Sequence, residues 1–172
     1  TSIKQLESRA SVVRSLSELF HFPTFSSDHY ERAGASLVEE LRVLEHPVME
    51  TAEKLRALIA RSDMQQVCIE FTRLFIGPFQ TAAPPYGSWY LEDHTLMGQS
   101  TIRVMISYIE AGLTLNRQFK DLPDHILAEL EFLYYLLDNA SRLAREGALE
   151  QSKELIEYHD AFVDQLLRPW LA

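Results

Sequence analysis

Apolar residues recur three and four positions apart along almost the whole chain, in runs cut by proline and glycine. Nowhere do they alternate at every second residue over the length of a strand. Such spacing gathers them on one face of an α-helix. Ile3, Leu6, Ala10, Val13, Leu16 and Phe20 form the first run, and Pro23 stops it. Leu37, Leu41 and Leu44 form the second, opened by the capping pair Ser27 and Asp28. Leu55, Leu58 and Ile59 mark a third helix, with Pro47 at the favourable first helical position. Asp63, followed three residues later by Gln66, predicts a capping box for a fourth through Val67, Phe71, Leu74 and Phe75. Ile102, Met105, Ile106 and Ile109 give the next, ended by Gly112. Asp124 is placed to cap a long helix through Ile126, Leu130, Leu133, Leu137, Ala140 and Ala144, closed by Gly147. Leu149, Ile156, Val163, Leu166 and Trp170 carry the last seam. The pattern predicts an all-α, single-domain helical bundle over residues 1–172.

A chain of 172 residues suffices for one core, since folding at this length buries roughly 70% of the unfolded surface. Its 47% hydrophobic content argues against disorder. A formal charge of −9 disfavours nucleic acid, which needs clustered Lys and Arg, and favours cationic partners. Cys68 is the only cysteine, so no intrachain disulfide forms and nothing calls for an oxidising compartment. The amino end lacks a basic region leading into an apolar run, so a cytoplasmic location is expected. The long uncharged stretch from Leu74 to Leu91 holds Gly77, Pro78, Pro84, Pro85 and Gly87, and is expected to be a loop and not a membrane span. The chain does not begin with Met and closes on Pro169-Trp170-Leu171-Ala172, a large aromatic where a polar, frayed terminus is usual. It is therefore expected to continue beyond Ala172.

Phe71, Phe75, Phe79, Tyr86, Trp89 and Tyr90 crowd twenty residues of a chain with nine Phe, seven Tyr and two Trp. Pro84-Pro85 stiffens the segment, so its rings hold fixed positions and lose little entropy when a ligand docks. Rings with a polar tip suit grooves that grip peptides, and equally suit a plug over the end of a bundle. Asp124 and His125 are followed by Glu129, which puts His125 and a carboxylate one helical turn apart on one face, as an acid and base pair or metal ligands would be. A helix cap and a carboxylate favoured by the helix dipole have the same spacing. His159 falls in an apolar seam, where a hydrogen-bonded core histidine is the common case. Glu18 and His21 have the spacing of one di-iron motif, but that site needs two such motifs and further Glu ligands. Ser88 lacks the flanks of a nucleophile elbow, and Cys68 has no adjacent base.

Glu70-Phe71-Thr72-Arg73-Leu74-Phe75-Ile76-Gly77-Pro78, then Pro84-Pro85-Tyr86-Gly87-Ser88-Trp89-Tyr90, then Pro123-Asp124-His125-Ile126 with Glu129-Leu130-Glu131-Phe132, resembles the TorD/DmsD family of redox-enzyme maturation chaperones. The resemblance is close over about 67–137 and looser elsewhere. It implies a TorD-like helical bundle acting as a cytoplasmic chaperone. Such a chaperone binds the twin-arginine signal peptide of a molybdenum-cofactor oxidoreductase subunit, assists cofactor loading and delays export. No catalytic residue, metal or cofactor of its own is implied. Peptide binding would fall to Phe75, Pro85, Tyr86, Ser88, Trp89, Asp124 and His125, and the scaffold to Glu70, Leu74, Gly77, Pro78 and Glu129. Some relatives carry Trp where Tyr86 stands, a difference that bears on subfamily and client. Relatives usually continue past Pro169-Trp170, so a monomer or a domain-swapped dimer is expected.

In physical terms, Asp124 is expected to meet the cationic end of the leader, while Phe75, Tyr86 and Trp89 pack on its apolar segment. His125 is expected to adjust binding through its charge, since an unperturbed histidine titrates at about 6.5. The first alternative is a hydrolase or metal enzyme using Asp124, His125 and Glu129. The second is a structural bundle plugged by its own aromatic loop.

Overall fold

A computed structural model describes residues 2–23, 27–77, 81–116 and 118–171. The chain is all-α. Its internal packing gathers into two compact units, Thr1–Pro84 and Pro85–Ala172.

The first unit holds α1 (Ile3–Phe20), α2 (Asp28–Val43), α3 (Met49–Ile59) and α4 (Met64–Phe71), which runs on into a π-helical turn at Thr72–Ile76. Ser2 and Gln5 close a capping box on α1, each side chain bonding the other's amide. Leu37, Val38 and Leu41 on α2 pack with Ala52 of α3, and Val12, Leu16 and Leu19 of α1 close over them. Three expected caps change. Ser27 precedes α2 without a side-chain cap bond. Pro47 stands outside α3, whose first residue is Met49. Asp63 caps α4 by accepting from the Gln65 amide, 3.0 Å away, in place of the box with Gln66. Cys68 is half-buried, and its thiol donates to the Pro23 carbonyl at 3.1 Å.

The second unit holds α5 (Gly87–Leu91), α6 (Gln99–Glu110), α7 (Ile126–Arg145), α8 (Leu149–Phe162), a π-helical turn at Val163–Leu167, and α9 (Arg168–Leu171). Leu133, Leu136 and Leu137 of α7 are buried with Val104 of α6. Phe132 stands at the centre of a ring cluster, 4.8 Å from Tyr108 and 5.0 Å from Phe162 between centroids. His159 is buried, with Nδ1 2.8 Å from Asp160. The apolar face expected on α6 turns outward: Ile102, Met105, Ile106 and Ile109 are exposed. The helix buries Thr101, Val104 and Tyr108 instead, the other face that three- and four-residue spacing defines on it. Glu92 caps α6 from outside, its carboxylate accepting from the Gln99 and Ser100 amides at 2.8 and 2.5 Å. Those bonds, led by one from the Ser100 hydroxyl, hold its carboxyl below the ordinary range.

The fourth helix reaches Leu74 and Phe75 as expected, through the π-helical turn, whereas α5 is helical within the stretch that was expected to be a loop. Among the described residues no helix is long and apolar enough to cross a membrane.

Candidate functional site

In the second unit, the Pro85–Ser88 motif lies against the Asp124–Ile126 motif. Proline fixes the backbone angle and removes an amide donor, but leaves its carbonyl free to accept. The Pro85 carbonyl takes the Ile126 amide at 2.9 Å, and the Gly87 amide donates to the Asp124 carbonyl at 3.0 Å. This single antiparallel bridge sets Tyr86 opposite His125. From there the chain turns into α5, whose first amides have no partner within the helix.

Asp124 fills that need. Its Oδ2 accepts from the Ser88 amide at 2.7 Å, and both residues are wholly buried. The expectation that Asp124 caps α7 is thereby corrected. The cap is His125, in the extended conformation of an N-cap, with Nδ1 accepting from the Leu127 amide at 3.1 Å. An accepting Nδ1 puts the neutral ring's proton on Nε2. Asp124 is also no rim charge for a cation, because no part of it reaches solvent.

One turn along α7, Glu129 is buried as completely, and its Oε2 accepts from Trp170 Nε1 at 3.2 Å. Burial pushes its carboxyl well above the ordinary range; the Trp170 bond opposes that rise and the nearby Asp124 adds to it. The Trp170 indole stacks on Tyr90, with centroids 5.7 Å apart, and covers Gly87. A Cβ at Gly87 would stand 3.0 Å from the indole nitrogen, so any larger residue there makes the indole give way by a few tenths of an ångström. Ser88 Oγ, Asp124 Oδ1 and Glu129 Oε1 are buried without a hydrogen-bond partner among the described residues.

The outer side of this clasp carries the rings. Tyr86 is half-buried, and its hydroxyl donates to the exposed Asp121. Burial first, then that hydrogen bond, raises its phenol above the ordinary range. The His125 ring stands edge-on to Tyr86 at 5.1 Å and to Phe119 at 6.2 Å. Trp89 lies 4.8 Å from the His94 ring.

The residues expected to bind peptide therefore divide. Pro85, Ser88 and Asp124 are buried and shape the clasp, whereas Tyr86, Trp89 and His125 keep part of their surface in solvent. Phe75 belongs to the first unit, where its ring packs 4.8 Å from Phe71 and 6.0 Å from Phe20. With Leu74 and Glu70 it lines a groove of about 470 Å³. Glu70 is exposed and pairs with Arg73 at 2.7 Å. Gly77 takes a positive φ of 50° at the end of the π-helical turn, a region that penalises any side chain. Pro78 lies outside the described residues.

Asp124, His125 and Glu129, the trio of the enzyme alternative, accept from Ser88, Leu127 and Trp170 respectively. Among the described residues no three His, Cys, Asp or Glu side chains gather as a metal site. Sequence reasoning missed Asp121, Phe119 and Trp170. Asp121 had a signal in its place three residues ahead of Asp124. Trp170 had one in its size at the end of an apolar seam.

The all-α fold is similar to that of a solved redox enzyme maturation protein. A crystal structure so described, from Archaeoglobus fulgidus, superposes with a TM-score of 0.50 at 22% identity, covering 91% of this chain and 94% of the other. The chain belongs to the family described as nitrate reductase delta subunit, that of the TorD and DmsD chaperones, whose family model matches residues 42–172. Among its relatives are the chaperone protein TorD of Photobacterium profundum, 28% identical over 81% of this chain and 62% of that protein, and TorD of Vibrio atlanticus, 27% identical over 96% and 79%. The Tat proofreading chaperone DmsD of Salmonella typhi is 25% identical over 99% of this chain and 85% of its own length. The resemblance read from the three motifs is borne out.

Proposed function

We propose that this chain is a cytoplasmic chaperone that binds the twin-arginine signal peptide of a molybdenum-cofactor oxidoreductase subunit, assists its cofactor loading and delays its export. The clasp carries the reading. Tyr86, His125 and Trp89 stand partly in solvent on a segment whose backbone is pinned from inside by Asp124, so the rings meet a ligand already ordered. Relatives bearing the names TorD and Tat proofreading chaperone support the same assignment.

In this reading the apolar middle of the leader packs on rings, and its basic start meets carboxylates outside the clasp, Asp121 among them. Phe75, in the first unit, offers apolar surface of its own in the groove it lines. Glu70, Leu74, Gly77, Pro78 and Glu129 act as scaffold. No catalytic step belongs to it.

Calorimetric titration of the purified chain with a synthetic twin-arginine leader tests the reading. Saturable binding, lost when the leader's apolar middle is replaced by serine and glycine, is the expected result. Absence of heat and of any change in tryptophan emission would overturn it.

A further inference from the structure

Beside the clasp lies a cavity of about 260 Å³, bounded by α6, α7 and the segment that follows α6. The aromatic residues Tyr108, Phe119, Phe132 and Tyr135 line it, and Glu131 is the acidic residue among the lining. The Tyr108 hydroxyl is committed to the Pro123 carbonyl at 2.8 Å, so that residue offers the cavity its ring alone. Glu131 is exposed and enters none of the ion pairs formed among the described residues.

Ring faces carry negative partial charge, and a carboxylate beside them adds a full one, so the cavity favours a cation with an apolar body. Its volume is small for a drug-sized molecule and suits a single side chain. Arginine fits that description better than lysine. Its guanidinium is planar, sheds water more readily, stacks on rings and meets a carboxylate through two parallel bonds. Phe119 joins this cavity to the clasp, since the ring that lines the cavity also stands edge-on to His125.

We propose that the cavity is a subsite for an arginine side chain of a bound polypeptide, the rings holding its stem and Glu131 its guanidinium. The assignment rests on the peptide-binding reading and gives the leader's basic start a specific seat, the role that buried Asp124 does not fill.

N-acetyl-L-arginine amide, titrated into the full chain and followed by aromatic proton NMR, tests the subsite apart from any leader. Saturable shifts at Phe119 and Tyr135 are expected, weakened about fivefold by Glu131→Gln. N-acetyl-L-citrulline amide, the same shape without charge, should bind far more weakly. Equal binding of the two amides, unchanged affinity in the Glu131→Gln variant, or no saturable shift would each overturn the proposal. In a second arm, a twin-arginine leader is titrated into both proteins. A weaker complex with Glu131→Gln, and equal affinities once the arginines are citrulline, support the subsite. Wild type and Glu131→Gln binding the arginine leader equally well would discard the subsite and leave the chaperone reading intact. Failure of the leader on wild type, with arginine amide still bound, would strike the chaperone reading alone.

Discussion

The Ser88 amide donates to the Asp124 carboxylate across 36 residues of sequence, at 2.7 Å and away from solvent. A charged acceptor in such a place is worth more than a neutral one, and losing it strands a buried donor. Asp124→Ala should therefore destabilise the protein by about 2–3 kcal/mol, and Asp124→Asn, which keeps an oxygen there, by about half as much. Urea unfolding followed by circular dichroism measures both. Variants as stable as wild type would mean that the bond does not hold the clasp.

Gly87 and Trp170 give a second expectation. A methyl group at Gly87 would meet the indole nitrogen at 3.0 Å and Cδ1 at 3.1 Å, so Gly87→Ala should push the indole outward and break its bond to Glu129. Placing the change in a Trp89→Phe background leaves Trp170 as the sole tryptophan. Its emission should shift to the red relative to Trp89→Phe alone. An unmoved spectrum would show that the indole yields without leaving its seat.

Tyr86 separates the binding reading from that of a structural plug. Its ring is half-buried and its hydroxyl bond to Asp121 lies at the surface, so Tyr86→Ala should leave the unfolding midpoint nearly unchanged. The same change should weaken a twin-arginine leader by about tenfold or more, the usual effect of deleting an aromatic anchor. A large loss of stability with leader affinity preserved would reverse the assignment.

The main helices were legible because their buried positions recur at helical spacing, as with Leu133 and Leu137 of α7 or Leu37 and Leu41 of α2. The π-helical turn at Thr72–Ile76 was not, since one extra residue in a turn leaves no mark in an apolar pattern. α5 was hidden by its neighbours: Pro84, Pro85 and Gly87 read as loop, and the carboxylate that steadies its first turn arrives from Asp124. The same remoteness misled the reading of Asp124 itself. Local spacing offers a carboxylate only the helix beside it, whereas the fold offers it the amide of Ser88. Tyr86 and His125 were both expected in the site, but their pairing needed the antiparallel bridge, which no single segment specifies.

Glu129 yields a prediction whose sign runs against the usual carboxylate. Burial raises its folded-state pKa well above 4.5, so the folded protein holds that proton more tightly than the unfolded chain does. By linkage, its contribution to stability is fully present below the unfolded value and is lost as pH climbs through the raised folded one. Glu129→Gln keeps an oxygen for the Trp170 indole and can never ionise. Its melting temperature should exceed that of wild type at and above neutral pH, and the difference should shrink as pH falls toward 4.5. Groups remote from Glu129 cancel between the two proteins, so the difference between the two melting curves reports on Glu129 together with the neighbouring Asp124. A gap that stays constant with pH, or widens as pH falls, would mean that Glu129 is charged in its buried seat. The Trp170 bond would then be neutralising a carboxylate there, where the present assignment has it orienting a neutral acid.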